Sequence, residues 1–269
     1  MAANEPSGRR LVCLLVFERE LAFANELADR AGEIAMGFFQ GEFEVRQKAD
    51  STPVTEADLA VEAMVRERLA DAFPADAVLG EEHGMEGAAE RVWVVDPIDG
   101  TKNFAAGIPV WGTLVALLVA GEPAVGVVGA PALGERYSAA HGAGATFNGR
   151  PTRVSGRDRL GSALVSFAGV EGWLRSPYEA GFRALASGAA RTRGFGDFWG
   201  HALVARGAAD VMIEQSLRTW DWAALAMIVR EAGGRITQLD GSEPADHGSV
   251  VTTNGLLHDI VLELLDSGS

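Results

Sequence analysis

The sequence predicts a layered α/β protein, and three observations support this prediction. The chain has 269 residues, of which 48% are hydrophobic and 22% charged, a balance typical of a folded protein with a substantial core. Its first half combines helical periodicity with short apolar runs typical of buried strands. Its second half alternates strand and helix patterns, which indicates helices packed on a sheet. We expect a single unit over 1–269, with an N-terminal half near 17–150 and a C-terminal half near 151–269.

In the first half, two predicted helices precede a series of strands. Apolar residues recur at helical spacing from about 17 to 39, and Thr55 has the character of an N-cap for a second helix that ends before Pro74. Between these helices, the polar stretch 45–54 predicts a loop or a hairpin. The glycine-rich stretch 142–148 predicts a turn. Strands are expected at 77–79, 91–95, 111–120, 124–130 and 135–140, the last three forming a meander.

In the second half, strands and helices alternate along the chain. The predicted strands are 162–167, 191–195, 211–214, 235–238 and 249–252. The predicted helices are 178–187, 198–206, 221–232 and 257–265.

Charge and cysteine content narrow the class of protein. The formal net charge of −14 argues against nucleic acid as a partner, because no field of lysine and arginine is present. An anionic substrate would need bound cations to reverse the local sign. The single cysteine, Cys13, excludes an intrachain disulfide and favours a reducing, cytoplasmic location. The apolar run 11–17 is too short for a membrane span and has no cleavage site, so we expect neither secretion nor a membrane partner.

The densest chemical signal is the run from Trp93 to Thr101. A strand ends there, and two carboxylates, Asp96 and Asp99, flank a proline-bearing turn. Carboxylate oxygens at a strand end suit a hard cation such as Mg²⁺. Gly100 and Thr101 then open a predicted helix, whose first backbone N–H groups favour a phosphate group. An isolated Asp-x-x-Asp-Gly pattern is more typical of an ordinary polar turn.

Three further acids strengthen the metal interpretation. Glu81 follows an apolar strand, Asp221 lies between two tryptophans at a helix start, and Asp50 lies in the polar stretch before the second helix. Singly, these residues are typical of a solvated charge pair, a helix N-terminus and a loop. Crowded together with the two aspartates above, they would repel one another strongly unless cations lay between them.

These motifs resemble those of the inositol monophosphatase family. The resemblance rests on Gly80-Glu81-Glu82, on Asp96-Pro97-Ile98-Asp99-Gly100-Thr101, and on Trp220-Asp221 with the downstream Glu231-Ala232-Gly233-Gly234, and it extends from about 17 to 265. It implies an α/β/α/β/α sandwich, a homodimer, and hydrolysis of a small phosphate monoester by a metal-activated water.

The resemblance also implies roles for individual residues. Two Mg²⁺ ions would be bound by Glu81, Asp96, the carbonyl of Ile98, Asp99 and Asp221, and Asp50 would help to hold a third, weaker ion. The catalytic residues would be Glu81, Asp99 and Thr101, of which Thr101 and Glu81 orient the attacking water. The backbone N–H groups of Gly100 and Thr101 would hold the phosphate.

The expected substrate-selecting residues lie in the second half. Glu214 lies seven residues before Asp221, where family members place an acid that contacts the leaving alcohol. Asp197 is followed by two aromatic residues, whereas inositol-specific members typically have a small, neutral run there. An extra carboxylate and aromatic faces suit a cationic leaving group. Asp197 could equally be the N-cap of the helix that follows. Arg193 and Ser166 are also expected at the substrate site.

The wider pattern at 48–58, 101–104 and 193–198 resembles the histidinol-phosphate phosphatase branch of the family. L-Histidinol phosphate carries an ammonium group and an imidazole, so acidic and aromatic walls are chemically reasonable for it. Two alternatives stay open: an inositol-1-phosphate or broad sugar-alcohol phosphatase, and a non-catalytic descendant of the fold.

Overall fold

The computed structural model describes residues 17–41, 45–47 and 53–266, so that Cys13 and Asp50 lie outside the described residues. Its helices are α1 (Glu18–Phe38), α2 (Glu56–Ala72), α3 (Thr101–Ala105), α4 (Val170–Leu174), α5 (Glu179–Gly188), α6 (Asp197–Ala205), α7 (Thr219–Glu231) and α8 (His258–Asp266). Its strands are β1 (Val45–Gln47), β2 (Pro53–Thr55), β3 (Ala77–Gly80), β4 (Gly84–Glu86), β5 (Arg91–Asp99), β6 (Gly112–Val119), β7 (Glu122–Ala130), β8 (Glu135–Ala140), β9 (Gly144–Phe147), β10 (Arg150–Thr152), β11 (Leu164–Phe167), β12 (Arg191–Arg193), β13 (Val211–Leu217), β14 (Arg235–Thr237) and β15 (Gly248–Thr253). No helix in these ranges has both the length and the apolar character needed to cross a bilayer.

The larger sheet of the described chain has eight strands in the order β10-β9-β8-β7-β6-β5-β3-β4. Neighbouring strands are antiparallel except β3 and β5, which are parallel. Side chains alternate between its faces: Trp93 and Val95 pack with α1 and α2, whereas Val94 packs with α7. Because both faces are covered, the central strands are nearly continuous apolar runs, which is why they could be predicted from sequence.

The smaller sheet completes the layers. Among the described residues it has five strands in the order β12-β11-β13-β15-β14, in which β11 is parallel to both of its neighbours. The helices α6 and α7 lie between the two sheets, and α5 and α8 pack on the outer face of the smaller one. With α1 and α2 on the outer face of the larger sheet, the order of layers is α/β/α/β/α. The predicted fold class is confirmed.

Several short elements differ from the sequence predictions. The predicted turn over 142–148 is wrong in part, since Gly144–Phe147 form β9, paired with β8 and β10. The three-residue strands β4 and β10 and the five-residue helix α4 were not predicted. Elements this short are determined by pairing and packing with neighbours rather than by their own propensity. The hairpin interpretation of 45–54 is confirmed, because β1 pairs antiparallel with β2.

Candidate active site

Three aspartates meet where β5 ends beside the start of α7. The strand β5 extends beyond its predicted end, and its register against β6 shifts between Asp96 and Asp99. Such an irregularity accommodates Pro97 within a strand and re-aims the neighbouring side chains. Asp221 approaches from the first turn of α7. One carboxylate oxygen from each of Asp96, Asp99 and Asp221 lies within 4.8 Å of the other two.

Burial and mutual repulsion raise the pKa values of these acids. Burial is the largest cause for Asp96, and Glu81 and the other two aspartates of the cluster add to it, so its pKa lies well above the ordinary value. Burial likewise raises the pKa of Asp99 well above the ordinary value, with Asp197 and Asp221 adding to it. The pKa of Asp221 is raised to about 7, chiefly by burial. The cluster therefore favours any bound group that brings positive charge.

Glu81 joins this cluster from the turn after β3. Its charge raises the pKa of both Asp96 and Asp221, which establishes that it lies close to them. The turn is held by Glu62 of α2, a fully buried carboxylate. Glu62 accepts hydrogen bonds from the backbone N–H of Glu82 at 2.7 Å and of His83 at 3.1 Å. The position of Glu81 thus depends on an ionised side chain of another element.

The backbone at Gly100 connects the cluster to α3. Gly100 has a φ of +82°, a left-handed conformation that glycine adopts without strain. The next residue, Thr101, donates its hydroxyl to the carbonyl oxygen of Ile98 at 3.0 Å. The Ile98 side chain is fully buried in the core. The backbone around Ile98 and the Thr101 hydroxyl are consequently held together beside Asp99.

A cavity of about 680 Å³ opens next to the cluster. Three acids from different elements contribute to its lining, namely Glu171, Asp197 and Glu214. Aromatic side chains also line it, namely Phe167, Phe195 and Trp199. The indole N–H of Trp199 donates to Glu135 at 3.0 Å, which fixes the ring plane. The cavity combines negative charge with aromatic faces.

Asp197 links this cavity to the cluster. The backbone N–H of the following residue, Phe198, donates to Asp99 Oδ2 at 2.6 Å. The prediction that Asp197 could be a helix N-cap is wrong, because Gly196 occupies that position and the Asp197 carboxylate accepts from Asn103 at 3.0 Å. Asp197 has a φ of +54°, a strained conformation of the kind that concentrates at functional sites. Burial and the charge of Glu214 raise the pKa of Asp197 to about 6.

The structure does not bring Arg193 and Ser166 to the cavity. Ser166 is fully buried, and its hydroxyl donates to the carbonyl oxygens of Phe195 at 2.8 Å and Arg193 at 3.2 Å. It therefore holds the backbone that carries the cavity wall instead of facing a ligand. The Arg193 guanidinium is exposed and donates to the carbonyl oxygen of Thr192.

Sequence reasoning missed other residues of the site. Glu171 and Lys102 line the cavity, and His201 lies behind Glu214. Glu171 belongs to α4, a helix too short to show periodicity. His201 is an isolated histidine in an apolar helix, and nothing in the sequence indicates that the fold would place it against an acid. The helical spacing from Thr55 could have suggested that Glu62 faces inwards, but not what it contacts.

The arrangement of acids and backbone can be compared with that of known proteins. The family model described as "Inositol monophosphatase family" matches residues 18–268, nearly the whole chain. The chain belongs to the inositol monophosphatase family. It is accordingly an enzyme of the phosphoric monoester hydrolase class, and the predicted family is confirmed.

Several relatives within the inositol monophosphatase family carry the name histidinol-phosphatase. The protein of that name from Mycobacterium tuberculosis is 48% identical over 256 residues, covering 93% of this chain and 98% of the relative. The one from Streptomyces coelicolor is 43% identical over 258 residues, covering 92% of this chain and 97% of the relative. The resemblance to this branch of the family is therefore confirmed at the level of sequence.

Solved structures of the inositol monophosphatase family share the fold. The extragenic suppressor protein suhB from Bartonella henselae superposes with a TM-score of 0.87 at 29% identity, covering 94% of this chain and 100% of that chain. An IMPase from Thermotoga maritima superposes with a TM-score of 0.84 at 31% identity, covering 93% of this chain and 98% of that chain.

Proposed function

We propose that this protein is a Mg²⁺-dependent histidinol-phosphate phosphatase, which converts L-histidinol phosphate and water to L-histidinol and phosphate in histidine biosynthesis. One observation carries the proposal: a cavity with acidic and aromatic walls adjoins a cluster of buried and half-buried carboxylates. The cavity walls suit a cationic, imidazole-bearing alcohol, and the carboxylate cluster suits hard cations.

The residues of the cluster fit a divalent cation. All the donors are oxygens, the ligands that Mg²⁺ prefers. Within the described residues, Oδ1 of Asp96 is buried and has no hydrogen-bond partner, as expected of an atom reserved for a ligand. Glu81, Asp96, Asp99, Asp221 and the carbonyl of Ile98 would hold two ions. Asp50, which lies outside the described residues, would contribute to a third.

The chemistry divides between the cations and the chain. When bound, Mg²⁺ supplies charge neutralisation for the phosphoryl group and lowers the pKa of a nucleophilic water. Thr101 and Glu81 would orient that water, and Glu81 is the group that would take its proton. The backbone N–H groups of Gly100 and Thr101 would hold the phosphate oxygens in place. Such positioning and electrostatic stabilisation are the main contributions that a protein makes to phosphoryl transfer.

The cavity walls support a cationic leaving group. Glu214 is largely buried, and Asp197 accepts a hydrogen bond from the Asn103 amide of α3, with Lys102 also within electrostatic reach. An ammonium group placed between these two carboxylates would relieve their mutual repulsion. The aromatic rings of Phe195 and Trp199, whose centroids are 4.9 Å apart, would contact the imidazole. A neutral polyol such as inositol would bring no positive charge to these two acids.

The test is the ratio of kcat/KM for L-histidinol phosphate to kcat/KM for inositol-1-phosphate, measured with Mg²⁺ by phosphate release. We expect a ratio above about 100 for the native protein and a loss of about tenfold in Asp197→Asn, since hydrogen bonds to charged groups contribute about 1.5–3 kcal/mol. Glu263→Gln, which removes an exposed acid of α8, is the matched control and should leave the ratio unchanged. A native ratio near one would instead favour a general inositol or sugar-alcohol phosphatase.

The proposal extends to the setting of the enzyme. The family resemblance supports a homodimer, and the single cysteine supports a cytoplasmic location. The partner in catalysis is a small phosphorylated molecule rather than a nucleic acid or a membrane.

A further inference from the structure

A buried histidine lies directly behind one acidic wall of the cavity. His201 is on α6, between the two sheets, and only 1% of its surface is exposed. Its Nε2 is 3.3 Å from Oε2 of Glu214, which lines the cavity. Its Nδ1 is 2.8 Å from the hydroxyl of Thr252, a fully buried residue of β15. The imidazole thus bridges the interior of the fold and the cavity wall.

The partners of the ring determine its tautomer. An ionised carboxylate can only accept hydrogen bonds, so the proton of a neutral His201 must reside on Nε2, which donates to Glu214. The Thr252 hydroxyl can both donate and accept, and it then donates to Nδ1. In this arrangement one oxygen of Glu214 is tied to the interior. The other carboxylate oxygen stays available to a ligand in the cavity.

The acids of this wall need such a restraint. The charge of Glu214 raises the pKa of Asp197, and Glu214 lies 3.3 Å from His201, so the two carboxylates and the imidazole are close enough to interact. Two carboxylates that repel each other would adopt divergent rotamers unless one was fixed. A hydrogen bond to an ionised acceptor is stronger than a neutral one and keeps the carboxylate in place before the ligand arrives.

We propose that His201 is a positioning residue that donates its Nε2–H to Glu214 and so fixes the carboxylate oxygen that binds the cationic part of the leaving alcohol. This inference rests on the proposed function for its ligand, and it adds a residue that determines substrate preference without contacting the substrate.

The kinetic test compares two esters that differ by one charge. L-Histidinol phosphate carries the ammonium group, and imidazolylpropyl phosphate is the same ester without it. His201→Leu removes the donor at similar volume, and we expect the KM for the ammonium ester to rise about tenfold while the KM for the analogue without the ammonium group changes less than about twofold. His201→Gln can place an amide N–H near the former Nε2 position, and it should restore most of the lost preference.

A matched control separates positioning from packing. His258 is also fully buried and also contacts two threonine hydroxyls, of Thr237 at 2.9 Å and Thr253 at 3.0 Å. His258→Gln should leave the ratio of the two KM values as in the native protein. The inference is overturned if His201→Leu raises both KM values alike, or if His201→Gln is no better than His201→Leu.

A spectroscopic readout keeps this inference separate from the proposed function. Nitrogen-15 NMR of the imidazole groups should show His201 as the Nε2–H tautomer, and Glu214→Gln should shift that resonance. An Nδ1–H tautomer, or a resonance that Glu214→Gln leaves in place, would refute the positioning role even in an active enzyme. If the native protein shows no preference for the ammonium ester, the proposed function is wrong, and the NMR result alone decides whether His201 positions Glu214.

Discussion

Replacing Gly80 with alanine would place a methyl carbon against the buried carboxylate of Glu62. A Cβ atom at Gly80 would lie 2.2 Å from Oε1, 2.4 Å from Cδ and 2.8 Å from Oε2 of that side chain. All three distances are shorter than van der Waals contact. Glu62 cannot swing away easily, because it accepts from the backbone of Glu82 and His83 and from Arg66 Nε at 2.8 Å.

The loss of stability in Gly80→Ala depends on whether the Glu62 side chain or the backbone at Gly80 moves. If Glu62 moves, buried hydrogen bonds to an ionised group are lost, and if the backbone moves, the turn that carries Glu81 shifts. We expect the free energy of unfolding to fall by about 2–4 kcal/mol, the combined scale of overpacking and of lost charged hydrogen bonds. Because a displacement of about 1 Å near reacting groups can reduce a rate about 100-fold, kcat/KM should fall on that order.

The assay is urea denaturation together with kcat/KM for L-histidinol phosphate at saturating Mg²⁺. Gly37→Ala is the control, because Gly37 is an exposed glycine of α1, and no atom lies within 4 Å of the position that an added methyl carbon would take. That substitution should raise the free energy of unfolding by about 0.5–1 kcal/mol. Native stability and native kcat/KM in Gly80→Ala would refute the claim that Glu62 fixes the position of Glu81.

Three further predictions concern the cluster and the cavity. Without Mg²⁺, the pKa of Asp221 is about 7 in the folded state but ordinary in the unfolded chain, so the folded state binds more protons and its stability should decrease as the pH rises from about 4 to about 7. The melting temperature of the native protein should fall over this pH range, that of Asp221→Asn should fall less, and added Mg²⁺ should restore the native value. An equal pH dependence in both proteins would contradict this prediction. Thr101→Val removes the hydroxyl that donates to Ile98 while keeping the side-chain shape, and kcat should fall about 100-fold or more with little change in melting temperature; an unchanged kcat would exclude Thr101 from the reaction. Trp199→Leu should raise the KM for L-histidinol phosphate about fivefold or more, whereas Trp199→Phe, which keeps an aromatic face but loses the bond to Glu135, should retain most of the affinity; equal KM values in the two variants would argue against an aromatic contact.

Most of the fold could be predicted because the central elements carry strong local patterns. The strands β5 to β7 contain long apolar runs, and Thr55 accepts from the Asp58 backbone as an N-cap should. The short elements could not be predicted, because β9 and β10 obtain their stability from the edge of a sheet formed elsewhere. The extension of β5 through Pro97 was missed for a related reason: only its shifted register against β6 makes a proline acceptable there.

The acidic cluster was predictable because the sequence alone shows that these acids lie at the ends of predicted strands and helices. The cavity was less so, because its walls come from segments that are distant in sequence, such as α3 and α6. Ser166 had the expected polarity, but its hydroxyl is occupied by the backbone of a neighbouring loop. Sequence alone does not reveal which polar groups already have hydrogen-bond partners within the fold. For the same reason the roles of Glu62 and His201 could not be predicted.

The proposed metal site can be tested by the Mg²⁺ dependence of phosphate release from L-histidinol phosphate, in native protein stripped of metal and in Asp96→Asn. We expect no turnover without the cation and saturable activation of the native protein by Mg²⁺. The variant should lose about 1,000-fold or more at the same Mg²⁺ concentration, since several kcal/mol of transition-state stabilisation depend on bound metal. Turnover that persists in the stripped protein, or an Asp96→Asn variant activated like the native one, would rule out these carboxylates as the metal site.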